Sequence, residues 1–203
     1  EPLFNEELAI HEVDMMRPGQ YLITFIHPAA PANHEMVGNL AKRGVIAMTL
    51  DGVPRISRAQ SMDALTSMST CAGYKGTLMG CNLLPRFAPQ IFSAVGMIKP
   101  INMLVVGVGV AGLQALATGK RLGAKTFAAD IRPAAREQAQ SLGAQVLDLG
   151  IPDDAGVGEG GYAKALNAEH LAQERSVLAE KLPEMDLVFL SALIPGKLAP
   201  VLV

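Results

Sequence analysis

The stretch Ile101–Asp130, INMLVVGVGVAGLQALATGKRLGAKTFAAD, constrains the fold of this chain more than any other. MLVV is a short apolar run with β-branched residues, the mark of a buried strand. It leads into Gly107-Val108-Gly109-Val110-Ala111-Gly112, a string that says little alone but much between a strand and a helix. VAGLQALATGKRL is helical and closed by Gly123, and KTFAA is a second strand that ends at Asp130. In such a unit each glycine has its own task. Gly107 permits a tight turn, Gly109 lets the backbone approach a pyrophosphate, and Gly112 lets helix and strand pack closely. The helix N-terminus offers N–H groups and a positive dipole end to the phosphates. Asp130 can accept hydrogen bonds from a ribose diol and would repel a 2′-phosphate, which favours NAD over NADP. Arg132 pulls the other way, because an arginine near this position can accommodate that phosphate.

The rest of the chain predicts an α/β protein of two lobes with parallel sheets, the C-terminal one a Rossmann-type dinucleotide-binding domain. YLITFI, HEMVGNLAKRG and VIAMTL (21–26, 34–44 and 45–50) read as strand, helix and strand, so these strands should be parallel and covered on both faces. Residues 5–15 predict a short helix, 58–84 a longer one, and PRFAPQIFSAVGMIKP another short one. Pro133 opens a helix that Gly143 closes, QVLDL is a strand, and GIPDDAGVGEGGY is a long loop. A helix over 167–181 and the strand LVFL follow. The division expected is a partial N-terminal lobe, 1–66, and linking helices with the partial dinucleotide domain, 67–203. The chain starts without Met and stops at LAPVLV, and reads as a fragment lacking both natural ends.

Composition excludes several classes. Lys plus Arg number 17 against 19 acids, which gives no electrostatic ground for a nucleic-acid partner. No apolar run approaches the roughly 20 residues of a membrane helix. Cys71 and Cys81 lack a CxxC spacing and read as two small buried thiols in a reducing compartment. The histidines have no ligand-like spacing, and no metal is expected.

A second feature stands out in this lightly charged chain. PRISRAQSMD, residues 54–63, gathers two arginines, a glutamine, an aspartate and two serines where the strand VIAMTL ends. Guanidiniums beside Gln60 and Asp63 suit a polar, partly anionic ligand. Ser57 and Arg58 can equally be read as a helix start.

PRISRAQSMD, GVGVAGLQALATGKRLGA, ADIRPAAREQAQSLGA, GEGGYAKAL and ALIPGKLAPVL occur in one order. Together they resemble the NAD(H)-binding component of proton-translocating nicotinamide nucleotide transhydrogenase, over nearly the whole chain. The resemblance implies two α/β lobes with NAD(H) in the cleft between them. It implies hydride donation to NADP held on a separate NADP-binding component, coupled to proton flow by a membrane component. It further implies a homodimer at the cytoplasmic face of a bacterial inner membrane or the matrix face of a mitochondrial one. In the family, the residues matching Arg55, Gln60 and Asp63 lie at the nicotinamide end and carry the catalytic role, with Ile56, Ser57 and Thr66 as neighbouring cofactor contacts. Thr66 stands where relatives commonly have serine. Gly107, Val108, Gly109, Val110 and Gly112 match the phosphate turn. Asp130, Ile131 and Arg132 match the adenosine-ribose end. Gly161 and Tyr162 match a loop that closes over nucleotide, and Glu174 and Leu193 match further contacts.

Two other functions stay open. Alanine dehydrogenase is similar in fold, and His27 follows YLITFI much as that enzyme's catalytic histidine follows its strand. Oxidising an amino acid needs a group to move a proton, whereas transfer between two nicotinamides exchanges only hydride. A nucleotide-binding scaffold without catalysis is the third class.

Overall fold

The computed structural model describes residues 2–54, 56–158, 163–194 and 199–203. Arg55, Gly161 and Tyr162, expected at the site, lie outside the described residues. The chain divides into two compact units, Glu1–Ser67 and Met68–Val203.

The first unit opens with a small antiparallel hairpin, β1 (Phe4–Asn5) and β2 (Ile10–His11), and a 3-10 turn over Glu12–Met15. A helix over 5–15 was expected. The Asn5 side chain accepts from Leu8 N–H at 3.0 Å and His11 Nδ1 from Val13 N–H at 3.2 Å. These local bonds compete with a continuous helix and break it into turns. β3 (Tyr21–Thr24) and β4 (Ile46–Thr49) pair in parallel, with α1 (His34–Lys42) between them in sequence. Val13, Ile26, Met36 and Leu40 form the core beneath. Coverage on both faces does not hold in this chain. Tyr21, Ile23, Ile46 and Met48 alternate along the pair and are all exposed. A 3-10 segment, Ser57–Met62, then leads into α2 (Ala64–Leu83).

In the second unit, β5 (Ile91–Ser93) and β6 (Gly96–Ile98) form an antiparallel hairpin where a short helix was predicted. Gly96 takes φ 114°, a turn conformation that favours glycine, and this reverses the chain. The remaining elements alternate: β7 (Asn102–Val106), α3 (Val110–Arg121), β8 (Lys125–Ala129), α4 (Pro133–Ser141), β9 (Gln145–Val146), α5 (Ala168–Lys181) and β10 (Leu187–Leu190). The strands form one parallel sheet in the order β10-β7-β8-β9. β9 is shorter than QVLDL because the Asp148 carboxylate accepts from Gly150 N–H at 2.9 Å and turns the chain.

β7 is buried on both faces, which is why its sequence is continuously apolar. Met103 and Val105 pack with Ala115, Leu116 and Ala139 on one side. Leu104 and Val106 pack with Phe127, Leu149, Ile151 and Leu178 on the other. Each such side chain contributes about 1.5–3 kcal/mol on burial. Helix α2 joins the first of these layers through a glycine stripe. A Cβ on Gly76 would stand 2.9 Å from Phe189 Cε2, and one on Gly80 2.7 Å from Leu187 Cδ1. A Cβ on Gly73 would collide with the Ala111 carbonyl oxygen. Spacings of three and four residues put these glycines on one helix face, so α2 backbone packs directly on the sheet layer. Cys71, expected to be buried, is exposed on this helix, and Cys81 is half-buried.

Replacing Gly73 by alanine drives a methyl into fixed backbone, so it should lower unfolding stability by about 1–3 kcal/mol. Gly38, in α1, has open space at its Cβ position and no positive φ. Gly38→Ala should instead add about 0.4–1 kcal/mol. Denaturant midpoints of the two variants check this; equal shifts would contradict the packing described.

Candidate functional site

The turn between β7 and α3 is held from both neighbouring strands. Gly107 has φ 86° and donates its N–H to the Ala129 carbonyl at 2.9 Å, on the β8 side. Its carbonyl accepts from Ser191 Oγ at 2.6 Å, at the end of β10. A Cβ here would strike the Ala192 backbone, and one on Gly112 would strike the Gly107 carbonyl. Gly109 differs. It is the N-cap of α3 at φ −83°, and a Cβ there would meet no atom within 4 Å. Nothing in the protein requires glycine at this point, so the open space in front of it is room for something else. No side chain caps the first turn of α3, which leaves its N–H groups and positive dipole end for an anion.

Asp130 closes the other side of the turn. It is buried, and its Oδ2 accepts from Val108 N–H at 2.7 Å. Arg132 grips the same carboxylate through its backbone N–H at 2.8 Å, its Nε at 3.0 Å and its Nη2 at 2.8 Å. Nη2 also lies 3.3 Å from the Val108 carbonyl. The hydrogen bond to Asp130 and its charge raise the Arg132 pKa above the ordinary value, against an opposing push from burial. Ile131, between them, is half-buried, and Gly156 lies so close that a Cβ would stand 2.6 Å from the Ile131 carbonyl. Residues 157 and 163 form an antiparallel bridge just beyond.

Glu174, on α5, is buried and makes no hydrogen bond among the described residues. Burial first, then the charge of Asp130, push its pKa from 4.5 to about 7, with Arg175 acting in the opposite direction. Val108 is buried and Val110 half-buried, and Leu193 is exposed two residues past Ser191. A groove of about 490 Å³ lined by Thr70, Val110, Leu113, Gln114, Gln138 and Leu142 includes Val110 but none of Asp130, Arg132 or Glu174.

In the first unit, Ile56, Ser57 and Gln60 are exposed along the Ser57–Met62 turn, with Ile56 as its N-cap. Asp63 follows, and its two oxygens accept from Thr66 N–H at 2.8 Å and Thr66 Oγ1 at 2.7 Å. It thus caps the start of α2. At the carboxyl ends of β3 and β4, His27 Nδ1 lies 3.0 Å from Asp51 Oδ2. His27 has φ 49°, in the left-handed region, and Asp51 Oδ1 is buried without a hydrogen-bond partner.

Sequence reasoning singled out the glycine turn, Asp130, Arg132 and Glu174, which the second unit brings together. It did not single out Ser191 or Asp51. The signal for both was their place directly after a parallel strand, at the end where α/β sheets bind ligands.

Comparison with known proteins gives a consistent result. The family described as "Alanine dehydrogenase/PNT, C-terminal domain" matches residues 76–203, and its N-terminal counterpart matches residues 5–72. In Rhodospirillum rubrum the NAD(P) transhydrogenase subunit alpha is divided, and its first polypeptide is 41% identical over 100% of this chain and 52% of its own length. The subunit alpha of Cereibacter sphaeroides is 42% identical over 93% of this chain and 36% of its own. The chain therefore spans about half or less of these relatives. Among solved structures, transhydrogenase from Sinorhizobium meliloti superposes with a TM-score of 0.74 at 34% identity, over 93% of this chain and 48% of that one. An L-alanine dehydrogenase superposes at 0.65 with 24% identity, over 95% and 47%, a likeness of fold.

The Glu174 carboxyl gives a testable pH dependence. Its folded pKa of about 7 lies above the ordinary 4.5, so the folded state holds the proton more tightly than the unfolded one. The associated stability is present below the ordinary value and is lost as pH rises through the folded value. Glu174→Gln removes that loss. The melting temperature of the variant relative to the parent should therefore climb between pH 5 and pH 8; a constant difference would contradict the burial assigned to Glu174.

Proposed function

The chain belongs to the alanine dehydrogenase/PNT family, and from that premise we propose that it is the NAD(H)-binding part of a proton-translocating nicotinamide nucleotide transhydrogenase. The observation that carries the reading is the glycine turn, with open space before Gly109 and an uncapped α3 N-terminus, beside the Asp130–Arg132 pair. Identity of 41% over the whole chain to a transhydrogenase alpha subunit supports the same reading.

On this account residues 67–203 hold the dinucleotide. The Gly109 backbone and the first turn of α3 receive the pyrophosphate, and the groups around the end of β8 receive the adenosine ribose. When bound, the nicotinamide ring supplies the hydride. The chain needs no acid or base for that transfer. Its task is placement, which falls to the residues 54–63, with Gln60 and Arg55 holding the ring end and Asp63 fixing the α2 start from which they project. Hydride passes to NADP on a separate component, and a membrane component couples the transfer to proton movement. The complex would contain a dimer of this component at the cytoplasmic or matrix face of an inner membrane. Among the described residues no helix is long and apolar enough to cross a membrane, so the span belongs to other parts.

The His27–Asp51 pair favours a second reading, an NAD-dependent amino-acid dehydrogenase. Strain of this kind at a strand end costs about 1–3 kcal/mol and clusters at functional sites. Here the turn is also pinned structurally, since Ile26 N–H donates to Thr49 Oγ1 at 3.1 Å and Asn33 Nδ2 donates to the Ile26 carbonyl at 2.9 Å. Pyruvate, ammonia and NADH should give no turnover with the full-length protein. Turnover that disappears in His27→Ala would favour the dehydrogenase instead.

Combined with a transhydrogenase NADP-binding component, the full-length protein should carry deuterium from C4 of NADH to C4 of NADPH without exchange into water. Gln60→Asn withdraws the amide by one methylene, a misplacement of roughly 1 Å that can cost about a hundredfold in rate. Transfer should fall far more than NADH affinity does. Deuterium appearing in water would overturn the transhydrogenase reading.

A further inference from the structure

Given that the chain binds NAD(H), as proposed above, the group that meets the adenosine ribose can be narrowed further. Asp130 is the expected acceptor, but its bonding is complete. A carboxylate offers about four lone-pair positions, and Asp130 receives four donors: Val108 N–H and the backbone N–H, Nε and Nη2 of Arg132. A ribose hydroxyl could take one of those places only by prising off a two-point, charge-assisted pair inside a buried site. The carboxylate thus serves the protein first, tying the glycine turn to the end of β8.

Two neighbouring groups have capacity that Asp130 lacks. Arg132 has five N–H donors on its guanidinium. Nε and Nη2 are directed to Asp130 and the Val108 carbonyl, and Nη1 has no acceptor among the described residues. The side chain is 22% exposed, so an edge faces outward. Glu174 is 5% exposed and accepts no hydrogen bond among the described residues. A carboxyl group this deeply buried without a donor is unusual, because burial without a partner is unfavourable. It lies within reach of the charge on Asp130. A ribose hydroxyl both accepts and donates, and these two groups offer what it needs.

We propose that the outward edge of Arg132 and the carboxyl of Glu174 receive the adenosine ribose, and that Glu174, rather than Asp130, sets the choice between NAD(H) and NADP(H). As a carboxylate, Glu174 accepts from the 2′-hydroxyl and repels a 2′-phosphate. As a neutral acid it can donate to phosphate oxygen, and the repulsion is gone while Arg132 remains to attract it. The charged groups around Glu174 are few. Asp130, with Arg132 bound to it, faces it from the end of β8, and Arg175 follows it on α5 with Nε turned 2.7 Å to the Val201 carbonyl. Asp148, on the loop after β9, is exposed and bonded to Gly150 N–H. With its pKa pushed up to about 7, the group changes charge across the neutral range. The preference for NAD over NADP should therefore strengthen as pH rises.

Calorimetric titration of the full-length protein with NAD and with NADP, at pH 6 and pH 8.5, tests this. The 2′-phosphate has an ionisation of its own near pH 6, and it contributes equally to parent and variant. The preference of the parent should grow by about tenfold or more over this interval, the equivalent of one pKa unit of differential interaction. Glu174→Gln should remove that growth and narrow the preference at pH 8.5. Asp130→Asn should weaken both nucleotides together and lower the melting temperature, since it loosens the turn. If NAD binds well but Glu174→Gln leaves both the preference and its pH dependence unchanged, this assignment fails and the nucleotide reading stands. Absence of NAD binding by the parent at both pH values overturns the nucleotide reading and the assignment with it.

Discussion

The Gly107 turn is the point on which the second unit depends. Three strands of the parallel sheet converge there. β7 runs into it, the last residue of β8 accepts its N–H, and Ser191 at the end of β10 donates to its carbonyl. The turn must therefore be made of backbone, without side chains, on the faces that touch Ala192 and α3. Asp130 adds a fourth tie through Val108 N–H. Because these bonds are buried, losing any one leaves a desolvated donor or acceptor unmatched, at roughly 1–3 kcal/mol. The rigidity that results aims the first turn of α3 at one place in space. That is what a binding site for an anion requires, and it arises from sheet geometry before any ligand is considered.

The same economy of side chains recurs in α2, where glycines let the helix backbone rest on Ala111, Phe189 and Leu187. Ala111 lies in the first turn of α3, so the packing of α2 bears directly on the helix that faces the phosphate position. Stability and site geometry are thus joined through one close contact. Gly73 is where a small change in volume should be felt in both.

Much of this could be read in the sequence, and the reasons are physical. KTFAA and LVFL were legible as strands because a parallel sheet buried on both faces demands continuous apolar runs, which few other structures do. The 5–15 segment and the PRFAPQIFSAVGMIKP segment were not legible as hairpins. Their strands are two or three residues long, too short to show a period, and side-chain bonds from Asn5 and His11 decide the outcome locally. The glycine turn and Asp130 were visible from spacing alone. That Arg132 would saturate Asp130 was not, since residues two apart in a chain meet only when the turn between them is known. The burial of Glu174 was hidden for a similar reason: α5 carries charge along most of its length, and only its packing over Leu104, Val106 and Phe127 removes one carboxyl from water.

The central claim is that Gly109 is glycine for the sake of a bound nucleotide and not for the fold. Its φ of −83° suits any residue, and a methyl there would enter open space. Isothermal titration of NADH into the full-length Gly109→Ala protein, with a thermal melt alongside, tests this directly. The account predicts an unchanged melting temperature and an affinity reduced by about tenfold or more, a loss of at least roughly 1.4 kcal/mol. An unchanged affinity in a normally folded variant would contradict it.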